Sequence, residues 1–167
     1  CPLDVKVEEE VDCGSHVRRL ITYSSEPGSR VPAYLLIPKS ALAGRPAPAV
    51  LCLHGPNNEI GHATVITGLG GKPNRQYASE LADRGFVTLA PNYPLLAKYQ
   101  PDLKALGWES CTMKAIWDNV RGLDLFADGV RGLELLLDQF GVAVDDREQV
   151  VEVMGHTAGQ TPNGLHF

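Results

Sequence analysis

The chain has 167 residues, of which 44% are hydrophobic, and a formal net charge of -5. This length suits one ordinary hydrophobic core, so we expect a single domain, or part of one, over residues 1–167. The charges are spread along the sequence, which disfavours nucleic acid and membrane surfaces as partners. No run approaches the roughly 20 apolar residues of a membrane-spanning helix. Composition therefore predicts a soluble protein and leaves open whether it is cytoplasmic or secreted.

The first third of the chain has the pattern of antiparallel strands. Polar and apolar residues alternate in Val5–Glu8 and in Val17–Tyr23, and the turn Glu26–Ser29 precedes a third strand, Val31–Pro38. Ala49–Leu53 is apolar without alternation, which is typical of a strand covered on both faces. The sequence thus predicts an antiparallel N-terminal part that leads into a buried sheet.

Strands and helices alternate after the fourth predicted strand. Asn74 is placed to cap a helix that contains Tyr77 and Leu81, and Gly85 stands where a left-handed residue would end that helix. Phe86–Ala90 follows as another buried strand.

A longer helix is predicted over Met113–Leu125 from its apolar spacing, with Trp117 on the side that faces the core. The segment Val120–Leu125 recurs in similar form as Val130–Leu135. Ten residues do not make a whole number of helical turns, so we interpret the repeat as a helix that is lengthened or broken near Gly129.

The last predicted strand is Val150–Met154. The order of elements predicts an α/β fold with a mostly parallel sheet, and such sheets place their sites at the carboxyl ends of the strands. Three strand ends carry polar residues, namely Leu53–Asn58, Ala90–Pro94 and Met154–Gly159. The third has the form Gly-X-nucleophile-X-Gly, in which the middle residue is Thr157.

Longer runs of sequence around these strand ends resemble one group of enzymes. The runs are Gly68–Asn74, Tyr77–Ala78, Leu81–Ala82, Arg84–Gly85, Leu89–Pro94 and Thr112–Arg121. Together they resemble the dienelactone hydrolase and acetyl xylan esterase-like branch of the α/β-hydrolase superfamily. The resemblance extends over roughly residues 30–159 and matches only the N-terminal part of a family domain, so we expect the sheet to be incomplete at the C-terminus.

The resemblance implies hydrolysis of carboxylic esters, such as acetyl esters, by a serine-histidine-acid mechanism without a cofactor. Thr157 matches the nucleophile position, and the backbone N–H of Ala158 would supply part of the oxyanion hole. The loop after His54 would supply the rest, and because Pro56 has no N–H, Asn57 would take its place. Further residues expected to line the site are His54, Gly55, His156 and Tyr93.

Other features separate this sequence from an active member of the branch. Threonine is β-branched, which fits poorly into the strained turn that holds the nucleophile. In this superfamily the acid and the histidine follow the nucleophile, whereas only residues 158–167 follow Thr157 here, and His166 lies too close to come from a later strand. Asn92 stands where many relatives would have a carboxylate, and this exchange is expected to alter loop bonding more than chemistry.

Other residues of the sequence bear on alternatives to a catalytic site. His54 and His156 have no accompanying carboxylate spacing, so no metal site is expected. Gly68–Gly71 lacks the arrangement of a phosphate-binding loop. Three interpretations of the sequence remain. The chain is an ester hydrolase, as a fragment or degraded copy whose own activity is weak or absent, or it is a non-catalytic interaction module that associates through an unfinished sheet. In the third interpretation, the sequence after Gly159 comes from a shifted reading frame.

Overall fold

A computed structural model of the chain describes residues 1–127. Its strands are β1 (Lys6–Asp12), β2 (His16–Glu26), β3 (Ser29–Pro38), β4 (Ala49–Leu51) and β5 (Val87–Pro91). Its helices are α1 (Lys39–Leu42), α2 (Tyr77–Asp83) and α3 (Cys111–Ala127), with a 3-10 helix at Gly61–Val65. The predicted strand at residues 150–154 and the second copy of the repeat lie outside the described residues.

The strands form one mixed sheet in the order β1-β2-β3-β5-β4. The pairs β1–β2, β2–β3 and β3–β5 are antiparallel, and β4 runs parallel to β5. The predicted antiparallel N-terminal part is confirmed, and parallel pairing begins with β4 and β5. Strand β4 ends at Leu51, two residues before its predicted end, although the N–H of Cys52 still donates to Leu89 O at 2.7 Å.

The sheet is covered on both faces because successive residues of a strand point to opposite sides. Leu35 lies in a core cluster with Leu125 and Phe126 of α3, whereas the next residue, Leu36, lies in a second cluster with Ala78 and Ala82 of α2. Helix α3 therefore covers one face, and α2 with the 3-10 helix covers the other. Cys52 belongs to the second cluster, as a buried small apolar residue.

Helix α2 confirms the predicted stop and corrects the predicted start. Gly85 has a φ of +95°, and its N–H donates to Ala82 O at 3.0 Å, as expected for a left-handed residue at a helix end. The helix is capped by Gln76, without a side-chain hydrogen bond. The prediction that Asn74 caps it was wrong, because Asn74 lies two residues earlier in a left-handed conformation with φ +61°.

Helix α3 forms where it was predicted, but the prediction that Trp117 faces the core was wrong. Trp117 is 39% exposed and lies at the margin of the contact between helix and sheet, where its Nε1 donates to Ser25 O of β2 at 3.1 Å, whereas Lys114 and Asp118 are fully buried. These two buried side chains form an ion pair, and Lys114 Nζ also lies 3.0 Å from Glu26 Oε1 of β2. Polar partners on β2 thus determine which side of α3 is buried. None of the helices in residues 1–127 has both the length and the apolar character needed to cross a membrane.

Candidate active site

The parallel pair β4 and β5 brings two of the predicted strand ends to one edge of the sheet. The two strands run parallel, and Leu51 is paired with Leu89, so their carboxyl ends lie close together at the same end of the sheet. His54, Gly55 and Asn57 follow β4, while Asn92 and Tyr93 follow β5. Together with His62 of the 3-10 helix, these residues are here named the strand-end site: His54, Gly55, Asn57, His62, Asn92 and Tyr93.

His54 stacks on Tyr93, as expected for two residues that line one site. Their ring centroids are 4.4 Å apart, with an angle of 24° between the planes. His54 is buried, and its Nδ1 lies 2.8 Å from Gly55 O. Because a carbonyl oxygen only accepts, this bond requires the proton on Nδ1. Burial lowers the pKa of His54, so the ring is neutral near pH 7 and its Nε2 is then an acceptor.

His62 is a second buried imidazole in the site, and no pattern in the sequence identifies it as a site residue. Its ring centroid lies 4.7 Å from that of Tyr34 and 6.4 Å from that of His54. Burial lowers the pKa of His62 to about 4, and the neighbouring His54 acts in the same direction. His62 is therefore neutral across the physiological range.

Asn92 connects the loops of the strand-end site. Its Oδ1 accepts from the N–H of His62 at 3.2 Å, and its Nδ2 donates to Leu96 O at 3.2 Å. An aspartate could not donate the second bond, which accounts physically for an amide at this position. Gly61 lies directly against it, since a Cβ at Gly61 would overlap Asn92 Oδ1.

The two imidazoles keep unpaired ring nitrogens despite the nearby amide. Asn92 favours the protonated forms of His54 and His62, which partly offsets the effect of burial on their pKa values. Its amide atoms are nevertheless committed to backbone groups. Within residues 1–127, neither His54 Nε2 nor either ring nitrogen of His62 has a partner at hydrogen-bonding geometry.

Asn57 stabilises its own loop through its side-chain oxygen, and its backbone N–H remains available as a donor. Its Oδ1 accepts from the N–H groups of Glu59 and Ile60, at 2.9 and 3.0 Å. In the described part of the chain, the backbone N–H groups of Gly55 and Asn57 donate to no acceptor. Two N–H donors therefore flank Pro56, which has none.

No carboxylate contacts His54 or His62 within residues 1–127. The imidazole–carboxylate contact in that range joins His16 Nδ1 and Asp83 Oδ1, 3.0 Å apart. This contact lies at the other end of the strands from the strand-end site. The start of β2 pairs with the end of β3, and the end of β3 pairs with the start of β5. Ser15 Oγ approaches the same nitrogen, at 3.1 Å, so the three groups do not form a relay from acid through imidazole to hydroxyl.

The structure brings together the predicted residues His54, Gly55, Asn57 and Tyr93. Thr157, Ala158 and His156 lie outside the described residues, so their position relative to this site stays a prediction. No group of three or more His, Cys, Asp or Glu side chains within residues 1–127 is arranged to hold a metal ion.

No protein-family model and no curated protein matches the chain. The fold is, however, similar to solved esterase structures. A protein assigned as an acetyl xylan esterase from Bacteroides fragilis matches with a TM-score of 0.58 and 16% identity, over 75% of this chain and 38% of that one. Acetyl xylan esterase 1 from a Thermoanaerobacterium species matches with a TM-score of 0.51 and 14% identity, over 75% and 40%.

A glucuronoyl esterase from Solibacter usitatus matches with a TM-score of 0.51 and 16% identity, over 75% of this chain and 42% of that one. The chain thus spans about two fifths of the length of the structures it matches. At these identities the similarity concerns the fold. The matched part of the chain has an α/β-hydrolase-type fold, as the resemblance in its sequence predicts.

Proposed function

We propose that the chain acts on carboxylic esters at the strand-end site, as an acyl or acetyl ester hydrolase with slow turnover. The observation that carries this proposal is the pair of available N–H groups at Gly55 and Asn57, beside the stacked rings of His54 and Tyr93. Such donors at a strand end suit the negative oxygen that develops when an ester is attacked. The structural neighbours that bear esterase names support the same reaction class.

The nucleophile in this proposal is Thr157. Strand β4 is the outermost strand on its side of the described sheet, because it pairs only with β5 there, so its free side can accept a further strand. Val150–Met154, the strand that the sequence predicts before Thr157, lies outside the described residues. The role of Thr157 therefore rests on its position in the Gly-X-nucleophile-X-Gly pattern.

In the reaction, the Thr157 hydroxyl oxygen would form a bond to the ester carbonyl carbon and transfer its proton to a water molecule. The alcohol leaves with a proton, and water then hydrolyses the acyl-threonine to release the acid. The N–H groups of Asn57 and Ala158 would hold the oxyanion in both steps. The methyl group of threonine, and the lack of a carboxylate beside His54 and His62 in residues 1–127, both predict slow turnover.

Hydrolysis of p-nitrophenyl acetate tests this proposal. We expect slow turnover that falls to the buffer rate in Thr157→Ala and rises in Thr157→Ser, which removes the obstructing methyl group. Thr161→Ala, the same change four residues later, is the matched control and should leave the rate unchanged. Turnover that survives in Thr157→Ala would show that this hydroxyl is not the nucleophile.

A non-catalytic role for the same fold is the second candidate. It is favoured by the two neutral imidazoles that contact no carboxylate in the described residues, since such rings form no proton relay. In that case the chain should bind p-nitroacetanilide, the amide analogue of the ester, while p-nitrophenyl acetate is hydrolysed no faster than in buffer. Calorimetric titration beside the esterase assay separates the two functions.

A further inference from the structure

A small cavity lies at the other end of the strands from the strand-end site, between the turn that joins β1 to β2 and helix α2. Its volume is about 140 Å³, below the roughly 300–1,000 Å³ of sites for drug-sized molecules. This space is named here the turn cavity, and apart from Ile66 its lining consists of Cys13, His16, Arg18, Thr67, Ser79 and Asp83. The cavity brings a thiol, an imidazole and both signs of charge together in a space that suits a small molecule.

His16 supplies a base to the turn cavity. The residue is only 4% exposed, and its Nδ1 lies 3.0 Å from Asp83 Oδ1. The Ser15 hydroxyl donates to the same Asp83 oxygen, so it does not donate to Nδ1, and the neutral ring carries its own proton there. Within residues 1–127, His16 Nε2 forms no hydrogen bond and is not sealed from solvent. It therefore opens to the cavity that the ring lines, with its lone pair free to accept a proton.

Cys13 lies beside this imidazole, across the two-residue turn of Gly14 and Ser15. The Cys13 N–H donates to His16 O at 2.9 Å, and opposite residues of a hairpin point to the same face with Cβ atoms about 5 Å apart. Cys13 is a free, exposed cysteine whose thiol makes a weak hydrogen bond to Val11 O at 3.8 Å. Rotation about its Cα–Cβ bond, which takes nanoseconds or less, lets the thiol approach the imidazole.

The other polar side chains of the turn cavity fit the groups of a free amino acid. Arg18 and Asp83 place one positive and one negative charge in the lining, which complement a carboxylate and an ammonium group. Ser79 is buried, and its Oγ accepts from the N–H of Thr67 at 2.9 Å, so its own proton is left for an acceptor in the cavity. An amino acid whose side chain carries a disulfide would therefore be held with its sulfur atoms near Cys13.

We propose that the turn cavity is a thiol-modification site, at which Cys13 takes up one half of a small amino-acid disulfide such as cystine. His16 Nε2 accepts the thiol proton, and Cys13 Sγ attacks one sulfur of cystine. The new S–S bond forms as the bond within cystine breaks, and the leaving cysteine thiolate takes the proton from His16. Cys13 is oxidised, and cystine is reduced because one of its halves leaves as free cysteine. Asp83 is a positioning residue, since its bond to Nδ1 keeps Nε2 free to accept. This inference does not depend on the proposed function.

The test treats the full chain with cystine and follows each cysteine by peptide mass spectrometry. We expect the rate at Cys13 to fall by about tenfold or more in His16→Gln, which removes the base, while the exposed Cys111 keeps its parent rate. His62→Gln is the matched control, because it makes the same change to a buried histidine at the other end of the strands, and it should leave the Cys13 rate unchanged. Modification of Cys52, which is buried in the parent chain, reports any variant whose fold is disturbed.

Variants of Asp83 keep the test valid if His16→Gln disturbs the fold. The Asp83 carboxylate is about half exposed, so its replacement leaves the packing of the sheet in place. Asp83→Asn should slow the reaction at Cys13, because an amide no longer holds the proton of His16 on Nδ1. Asp83→Glu should restore part of the rate, since a carboxylate can again accept from that nitrogen.

A second probe tests whether the cavity recognises an amino acid. Cystamine has the disulfide and the ammonium groups of cystine but no carboxylate, and Cys111 serves as the reference for the intrinsic reactivity of each probe. We expect the ratio of the Cys13 rate to the Cys111 rate to be higher with cystine, and Arg18→Met to remove this preference. Two results would overturn the proposal: a Cys13 rate that His16→Gln leaves unchanged while Cys52 stays unmodified, or equal ratios for the two probes in the parent chain.

Discussion

Residues 1–127 bury ionisable side chains in two different ways. Between α3 and β2, Lys114 is ion-paired with Asp118 and with Glu26. In the strand-end site, His54 and His62 are buried as neutral rings, and no carboxylate of the described chain contacts them. The first region satisfies every charge, and the second leaves ring nitrogens and backbone donors unpaired.

This difference indicates a structural role for the ion network between α3 and β2, and it supports the functional role proposed for the strand-end site. A paired and hydrogen-bonded ion network fixes the position of α3 and has no capacity left for a ligand. In the proposed function, the unpaired donors at Gly55 and Asn57, beside neutral imidazoles, would bind the carbonyl oxygen of an ester.

Replacing Lys114 should have the largest effect on stability. Lys114→Met leaves the buried Asp118 carboxylate without its cation, and we expect a loss of about 3–5 kcal/mol in the free energy of unfolding. Urea denaturation measures this loss. Arg84→Met is the matched control, because Arg84 pairs with Glu80 at the surface and should contribute less than about 1 kcal/mol. Equal small losses for both variants would show that the α3 ion pair is not a determinant of the fold.

Acid should weaken the strand-end site through His62. The pKa of His62 is about 4 in the folded chain against an ordinary value of 6.5, so between these values the unfolded state binds more protons. Stability should therefore fall as the pH decreases from 6.5 to 4, by about 3 kcal/mol from this group. His62→Gln should remove that part of the dependence. Parallel pH profiles for parent and variant would contradict the assignment.

Gly61 should be intolerant of a side chain. Gly61→Ala puts a Cβ against Asn92 Oδ1 at a position with φ +53°, and we expect a loss of about 1–3 kcal/mol. The control is Gly71→Ala, since a Cβ there would meet nothing within 4 Å. Thermal unfolding compares the two variants. A loss at Gly71 that matches the loss at Gly61 would contradict the close approach of Asn92.

The smallest effect is expected at the opposite edge of the sheet, where Asp83 pairs with His16. The Asp83 carboxylate is about half exposed, so Asp83→Asn should cost less than about 1 kcal/mol. Any hydrolysis of p-nitrophenyl acetate should continue at the parent rate. A rate that falls with Asp83→Asn would place the chemistry at His16 and not at the strand-end site.

The sequence predicted the features that depend on local pattern. Alternation located β1, β2 and β3, and the glycine after α2 located the left-handed stop at Gly85. The parallel pairing of two apolar strands explains why His54 and Tyr93 could be expected at one edge. These inferences need only neighbouring residues and the geometry of a sheet.

Features that depend on distant partners could not be predicted in this way. The apolar spacing of α3 indicates a helix with one apolar side, but it does not show that Lys114 would find Glu26 and Ser25 on β2 and turn that side outward. His62 joins the site only because Asn92, thirty residues later, binds its backbone N–H. Such contacts are determined by tertiary packing.

The most direct measurement is an NMR titration of the amide N–H groups with p-nitroacetanilide, the amide analogue of the ester. If the strand-end site binds the carbonyl group, the largest shifts will occur at Gly55 and Asn57, with Tyr93 next. Shifts that cluster at His16 and Asp83, or no saturable shift in the strand-end site, would contradict the account.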